Sequence, residues 1–262
     1  MLEQRILEYI MMYGSVMGLD VINEIDFNIK ILDELDFFHE TEKITEKDGS
    51  DKTILSGFPI LWYETEDSYR IIIKDEIFVE GIDEKFGLEC LFSVVTDIIG
   101  HYTEELKYRA SLIDCFSKNA ANGHAIWKEY YCAQAANVAA AGVYEQLGKE
   151  GYEIPVVKSK VLHLLKTIDD ETIDKETRGS TLLYIMGKLA SIDISRNNMF
   201  DMSTLIKCGN EAQKLYEFLM ACNNRNFMGT YQYIRVSKMY AAILNAMVVG
   251  GEEKNEETSD MS

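Results

Sequence analysis

The chain has 262 residues, enough for one large domain or two small ones, and 47% of them are hydrophobic, which supplies a sizeable core. It carries 26 Lys and Arg against 44 Asp and Glu, a formal charge of −18. A generic nucleic-acid binder needs a basic face to neutralise phosphates and an anionic-membrane binder needs one too, so both classes are excluded, and no run of eighteen apolar residues is present to span a bilayer.

Residues 1–19 predict a helix, and Glu3 stands where a secretory leader would be basic. The stretch 20–38 is ambiguous. Ile22, Ile25, Ile29 and Leu32 fit a helix, whereas Ile25, Phe27, Ile29 and Ile31 alternate as in a strand. The charged run 39–51, with Gly49, predicts a loop. Two strand-like runs follow at 53–63 and 69–80, joined by the short acidic turn Thr65–Ser68, which predicts an antiparallel hairpin.

From Phe86 the apolar period becomes 3.6. Leu88, Leu91, Phe92, Val95, Ile98, Ile99, Tyr102 and Leu106 form one face of a helix over 86–108. Residues 117–124 predict a loop, and a second helix is expected from Ala125 to Lys149, ended by Gly148 and Gly151. Further helices are expected at 156–168 after Pro155, and at 175–192, 203–222 and 228–249. Residues 250–262 are acidic and almost without apolar side chains, which predicts a disordered tail. Strands in one block and helices in another make the class α+β. The five cysteines, Cys90, Cys115, Cys132, Cys208 and Cys222, are odd in number, widely spaced and without a CxxC pair, as expected for reduced thiols in a cytoplasm.

One constellation points to chemistry. Asp97 and His101 are four residues apart on the first long helix and share a side of it, the spacing of two metal ligands on one helix. On the next helix Glu129, Ala133, Ala136 and Ala140 form a stripe that lets a neighbouring helix approach closely, and a carboxylate at its head needs a partner. A plainer account competes at each position. His101 fits a surface histidine paired with Asp97 or Glu105, and Glu129 fits a helix-start carboxylate favoured by the helix dipole. His124 reads as a loop or cap residue; an alternative donor set would be His101, Glu104, Glu105 and His124. Trp127, Tyr130, Tyr131, Val138 and Ala141 form an apolar stripe, and Tyr231, Tyr233 and Tyr240 suit helix packing. Gly-rich phosphate loops and the Gly-x-Ser-x-Gly elbow are absent.

A strand pair, a helix with Gly100-His101 near its end, a loop, then Trp127-Lys128-Glu129-Tyr130 opening a helix resembles the zincin metallopeptidases, in particular the small zinc-peptidase-like proteins of bacterial mobile elements. The family pattern is His-Glu-x-x-His on one helix and a metal-binding Glu on the next. The resemblance puts Asp97 at the first His position, Ile98 at the catalytic Glu position, His101 at the second His position and Glu129 at the downstream Glu position. It implies metal ligation by Asp97, His101 and Glu129. One His with two carboxylates suits manganese or iron(II) better than zinc. Ile98 cannot accept a proton, so the family's general base is lost and no catalytic residue is assigned.

The expected architecture is therefore a zincin-like α+β domain over 1–150 with a small antiparallel sheet, a helical region over 151–249 packed on it, and a tail over 250–262. The expected function is that of a non-catalytic, zincin-like interaction or regulatory protein of a bacterial cytoplasm or mobile element, with a protein partner and neither a nucleic-acid nor a membrane partner. The alternative is an active metal-dependent hydrolase using Asp97, His101 and Glu129.

Overall fold

The computed structural model describes residues 2–48, 59–78, 84–103, 117–148, 161–162, 164–166, 168–196, 201–222 and 229–247. Its long elements, in chain order, are α1 (Leu2–Met17), β1 (Phe27–Leu32), α2 (Glu34–Asp48), β2 (Ile60–Glu64), β3 (Tyr69–Lys74), α3 (Glu84–Tyr102), α4 (Lys118–Gln146), α5 (Lys175–Arg196), α6 (Gly209–Cys222) and α7 (Thr230–Ala246). The class is α+β, with a small sheet near the N-terminus and helices after it. Contacts divide the chain into two compact units: Met1–Tyr108 with Ala135–Tyr152, and Arg109–Gln134 with Glu153–Ser262. The long helix α4 gives its first part to the second unit and its last part to the first.

In the first unit the strand order is β1-β3-β2. β2 and β3 pair antiparallel, Ile60 opposite Ile73 and Glu64 opposite Tyr69, as the acidic turn predicts. Residues 53–58 and 79–80 of the expected strand runs lie outside the described residues, and Asp75–Phe78 is a 3-10 turn rather than strand. β1 is parallel to β3, Phe27 opposite Tyr69, so the sheet is mixed and not wholly antiparallel. A parallel neighbour needs a long crossover, and α2 lies within the connection. The ambiguous stretch 20–38 resolves into a 3-10 turn at Asp20–Glu24, then β1.

β3 is the central strand, and Ile71, Ile72 and Ile73 are all fully buried because both sheet faces are covered. Ile71 and Ile73 join the main core with Ile6, Ile10 and Tyr13 of α1 and Leu88, Leu91, Phe92, Val95 and Ile98 of α3. Ile72 faces the other way, onto Phe37 and Ile44 of α2.

The loop expected at 39–51 is helical to Asp48. Its composition is polar, yet Phe37, Thr41 and Ile44 recur at helical spacing and are buried. The intervening Glu40, 7% exposed, is satisfied by Lys30 Nζ, which donates at 3.1 Å, and by the Tyr63 hydroxyl, which donates at 2.9 Å. Burial pushes the Tyr63 hydroxyl above its ordinary range, against the Arg70 hydrogen bond that lowers it.

The loop expected at 117–124 is likewise mostly helix, because α4 starts at Lys118. Ser117 Oγ accepts from the Ala120 backbone N–H at 3.3 Å, so the serine that suggested a loop caps the helix. The far end of α4 stops as expected, with Gly148 at φ 65°, the left-handed region open to glycine. Residues 203–208 are turns rather than helix, and Ser203 N and Oγ both donate to Asp201 Oδ1. The expected helix 156–168 is described only at 161–162, 164–166 and 168, all helical. The tail 250–262 lies outside the described residues.

Candidate functional site

Strand alternation puts Ile60, Trp62 and Glu64 of β2 on the same face as Tyr69, Ile71 and Ile73 of β3, the face that carries the main core. α3 lies against this face, and its last turns meet the polar end of the hairpin. Trp62 Nε1 donates to Asp97 Oδ2 at 3.0 Å. The Tyr69 hydroxyl and His101 Nδ1 are 3.3 Å apart, and His101 Nε2 is 3.9 Å from Glu64 Oε2. The His101 ring stands edge-on to Trp62 at 5.4 Å and to Tyr69 at 5.9 Å. Tyr102 extends the cluster, its ring 6.3 Å from that of Tyr69 and its hydroxyl donating to Glu24 at 3.4 Å. Asp97 and His101 therefore share one helix face, as their spacing predicts, and both meet Trp62.

Ile98, one residue on, points elsewhere. It is fully buried among Leu88, Leu91, Phe92 and Val95 in the main core. The position that the zincin resemblance sets against a general base holds a buried hydrocarbon side chain.

Glu129 belongs to the other compact unit. Its side chain reaches the surface, but protein packed on one side displaces water from the carboxyl and holds it above the usual carboxylate range. The Ser180 hydroxyl donates to the carboxylate and opposes that rise, as does nearby Lys128. Tyr240 shares Ser180 as hydrogen-bond partner, and its hydroxyl is pushed far up, first by burial and then by the Glu129 charge. Gly179 makes room for this, since a methyl there would collide with the Tyr240 hydroxyl. Glu129, Ser180 and Tyr240 thus tie α4, α5 and α7 together through one polar contact. The sequence gives no local signal for it, because the partners lie 51 and 111 residues away from Glu129.

The sign of the resulting pH dependence follows from linkage. A carboxyl whose folded pKa lies above its unfolded value keeps its proton in the folded state while the unfolded chain releases one. Stability is greatest below the unfolded value, falls as pH rises towards the folded value, and is lower by the full amount above both. Glu129→Gln is expected to remove that slope in a urea-unfolding series from pH 4 to pH 8; a slope unchanged by the substitution would show that the carboxyl is freely solvated.

The stripe below Glu129 behaves as its small residues suggest. Ala133 packs on α5, where a methyl at Gly187 would lie 2.7 Å from the Ala133 Cβ, and Ala136 and Ala140 are buried in the first unit's core. Trp127 and Tyr130 are buried, but Tyr131 and Val138 of the expected apolar stripe are exposed at 36% and 45%. His124 is a buried helical residue and not a loop or cap residue, with its ring 5.8 Å from Trp127 and 5.2 Å from Tyr233. Tyr233 is buried as expected for helix packing, whereas Tyr231 is 85% exposed. Cys90, Cys132, Cys208 and Cys222 are free thiols. Burial pushes Cys208 up to about 11, which leaves it protonated and unreactive at neutral pH.

Among the described residues, no group of three or more His, Cys, Asp or Glu side chains could hold a metal ion. Glu104 and Glu105, of the alternative donor set, lie outside those residues. Among the described residues, too, no helix is long and apolar enough to cross a membrane. The chain matches no protein-family model, no curated protein and no solved structure.

Proposed function

We propose that the protein is a non-catalytic interaction or regulatory protein built on a zincin-like strand pair and helix, and that it acts through a protein partner. The observation that carries this reading is Ile98. A zincin needs a carboxylate at that position to take a proton from metal-bound water, and the side chain there is sealed in the core at 0% exposure. Two further observations support it. The Asp97 carboxylate accepts the Trp62 indole N–H, and His101 is held between Tyr69 and Glu64, so both side chains are engaged in holding α3 to the hairpin. The antiparallel strand pair beside the helix that carries Gly100-His101 supports the zincin-like scaffold as a proposal of ancestry.

The test is the metal content of the purified chain by mass spectrometry, together with a peptide-library digestion. The expected result is far less than one zinc, manganese or iron per chain and no cleavage sensitive to chelation. Stoichiometric metal that is lost in His101→Ala, together with metal-dependent cleavage lost in the same variant, would overturn the reading in favour of a hydrolase using Asp97, His101 and Glu129.

A further inference from the structure

The acidic residues of the chain are unevenly spread. They number 44 of 262, yet none stands between Glu217 and Glu252. The helix α7 lies wholly within that gap. Its inner stripe, Tyr233, Val236 and Ile243, is buried, and its first turn is closed by the Gly229 backbone N–H, which donates to Gln232 Oε1 at 2.6 Å. Tyr231, Arg235, Lys238, Ala242 and Asn245 recur at i, +4, +7, +11 and +14 on the opposite side. All five are exposed, Tyr231 at 85%.

Helix stability does not account for this stripe. A carboxylate three or four residues from Arg235 or Lys238 would stabilise α7, and the sequence has none there. Arg235 instead lies over the Phe218 ring of α6, its guanidinium carbon 4.5 Å from the ring centroid. Stacking holds the guanidinium plane in place and leaves its N–H edge open to a carboxylate. The acids of α6 are turned to α6 itself: Glu217 accepts from Gln213 Nε2 at 3.0 Å, and Glu211 lies 3.8 Å from Lys214 Nζ. Among the described residues, neither Arg235 nor Lys238 forms an ion pair. An exposed ring followed on the same helix side by a stacked guanidinium and an ammonium is the complement of carboxylates one turn apart beside an apolar side chain.

We propose that the outer stripe of α7, formed by Tyr231, Arg235 and Lys238, docks an acidic segment of a partner protein. This rests on the interaction reading above and names the chemistry of the partner. Arg235 receives one carboxylate through its N–H fork, Lys238 receives a second one turn on, and Tyr231 covers the apolar neighbour. Ala242 and Asn245 are short and let the segment lie close along the rest of the helix. Two exposed cations suit a segment with a few carboxylates. They do not offset a net charge of −18 against a nucleic acid or an anionic membrane, whose many phosphates repel the whole chain.

The test uses the full chain and a synthetic peptide of about fifteen residues, with glutamates one helical turn apart beside a phenylalanine, against the same peptide with glutamine for glutamate. Calorimetry should show that the glutamate peptide binds and the glutamine peptide does not. A net charge of −18 repels any polyanion, so non-specific attraction cannot imitate this result. Arg235→Gln with Lys238→Gln should cost about tenfold or more in affinity. Lys238→Gln alone changes an exposed side chain outside any ion pair among the described residues, and should cost severalfold at an unchanged melting temperature. Amide shifts in a ¹⁵N-labelled sample should centre on residues 231–245. Absence of binding, equal binding of the glutamine peptide, binding indifferent to the double variant, or shifts centred elsewhere would overturn the assignment. So would tighter binding of a single-stranded oligonucleotide, or amide shifts at Glu252–Asp260 on making the double variant without peptide, which would give the stripe to the chain's own acidic end. The metal and cleavage measurements are independent of α7, so the docking site can fail while the non-catalytic reading stands, and the reverse.

Discussion

Ile98→Glu is expected to destabilise the first unit by about 3–5 kcal/mol at neutral pH, the range for an uncompensated charge in an apolar interior. Ile98 is fully buried in the apolar core cluster with Val95 and Phe92, where a carboxylate would lose its water. The buried carboxyl would hold its proton to higher pH than in the unfolded chain. The variant should therefore be least impaired below the unfolded carboxylate value and lose stability as pH rises from there. Urea unfolding at pH 4 and pH 7 would show the difference, with Ile98→Met as the volume-conserving control at a cost below about 1.5 kcal/mol. A variant within about 1 kcal/mol of the native chain would mean that position 98 opens to solvent and can accommodate an ionised carboxylate.

Gly123→Ala is expected to reverse the usual sign of a glycine substitution in a helix. Elsewhere in a helix, alanine in place of glycine gains about 1 kcal/mol through propensity. At Gly123 the added methyl would collide with the Tyr233 carbonyl oxygen and lie 2.5 Å from its carbonyl carbon, so α4 and α7 would have to separate. Backbone cannot rotate away as a flexible side chain can, so a net loss of about 1–3 kcal/mol or more is expected. The second unit should report it, since His124, Trp127 and Tyr233 pack as one ring cluster beside the contact. Thermal unfolding followed by Trp127 emission in a Trp62→Phe background would read it out. A raised melting temperature would show that the two helices are not in backbone contact at this point.

Gly123 also shows where composition misleads. Ser117-Lys118-Asn119-Ala120-Ala121-Asn122-Gly123-His124 reads as a loop because these residue types favour turns. Three of them have a structural use instead: Ser117 caps, Gly123 admits α7, and His124 packs in an aromatic cluster. The polar run of α2 misleads in the same way, because its Glu40 is paired by Lys30 and Tyr63, groups 10 and 23 residues distant.

Periodicity alone determined the elements whose burial follows from their own spacing. The face Leu88, Leu91, Phe92, Val95 and Ile98 of α3 is buried throughout, and the alternation on either side of Thr65–Ser68 folds as the expected hairpin. The same spacing placed Asp97 and His101 on one side of α3, where both meet Trp62. Tertiary structure decided the rest, because the physical causes lie in partners far along the chain. It made β1 a parallel neighbour of β3, since strand direction depends on the crossover and not on the strand's own residues. It raised the Glu129 carboxyl through burial, against the opposing Ser180 hydrogen bond, and a sequence window around Glu129 shows neither. It also left Leu35 and Phe38 outside, because α2 has one stripe to bury and the sheet takes Phe37, Thr41 and Ile44.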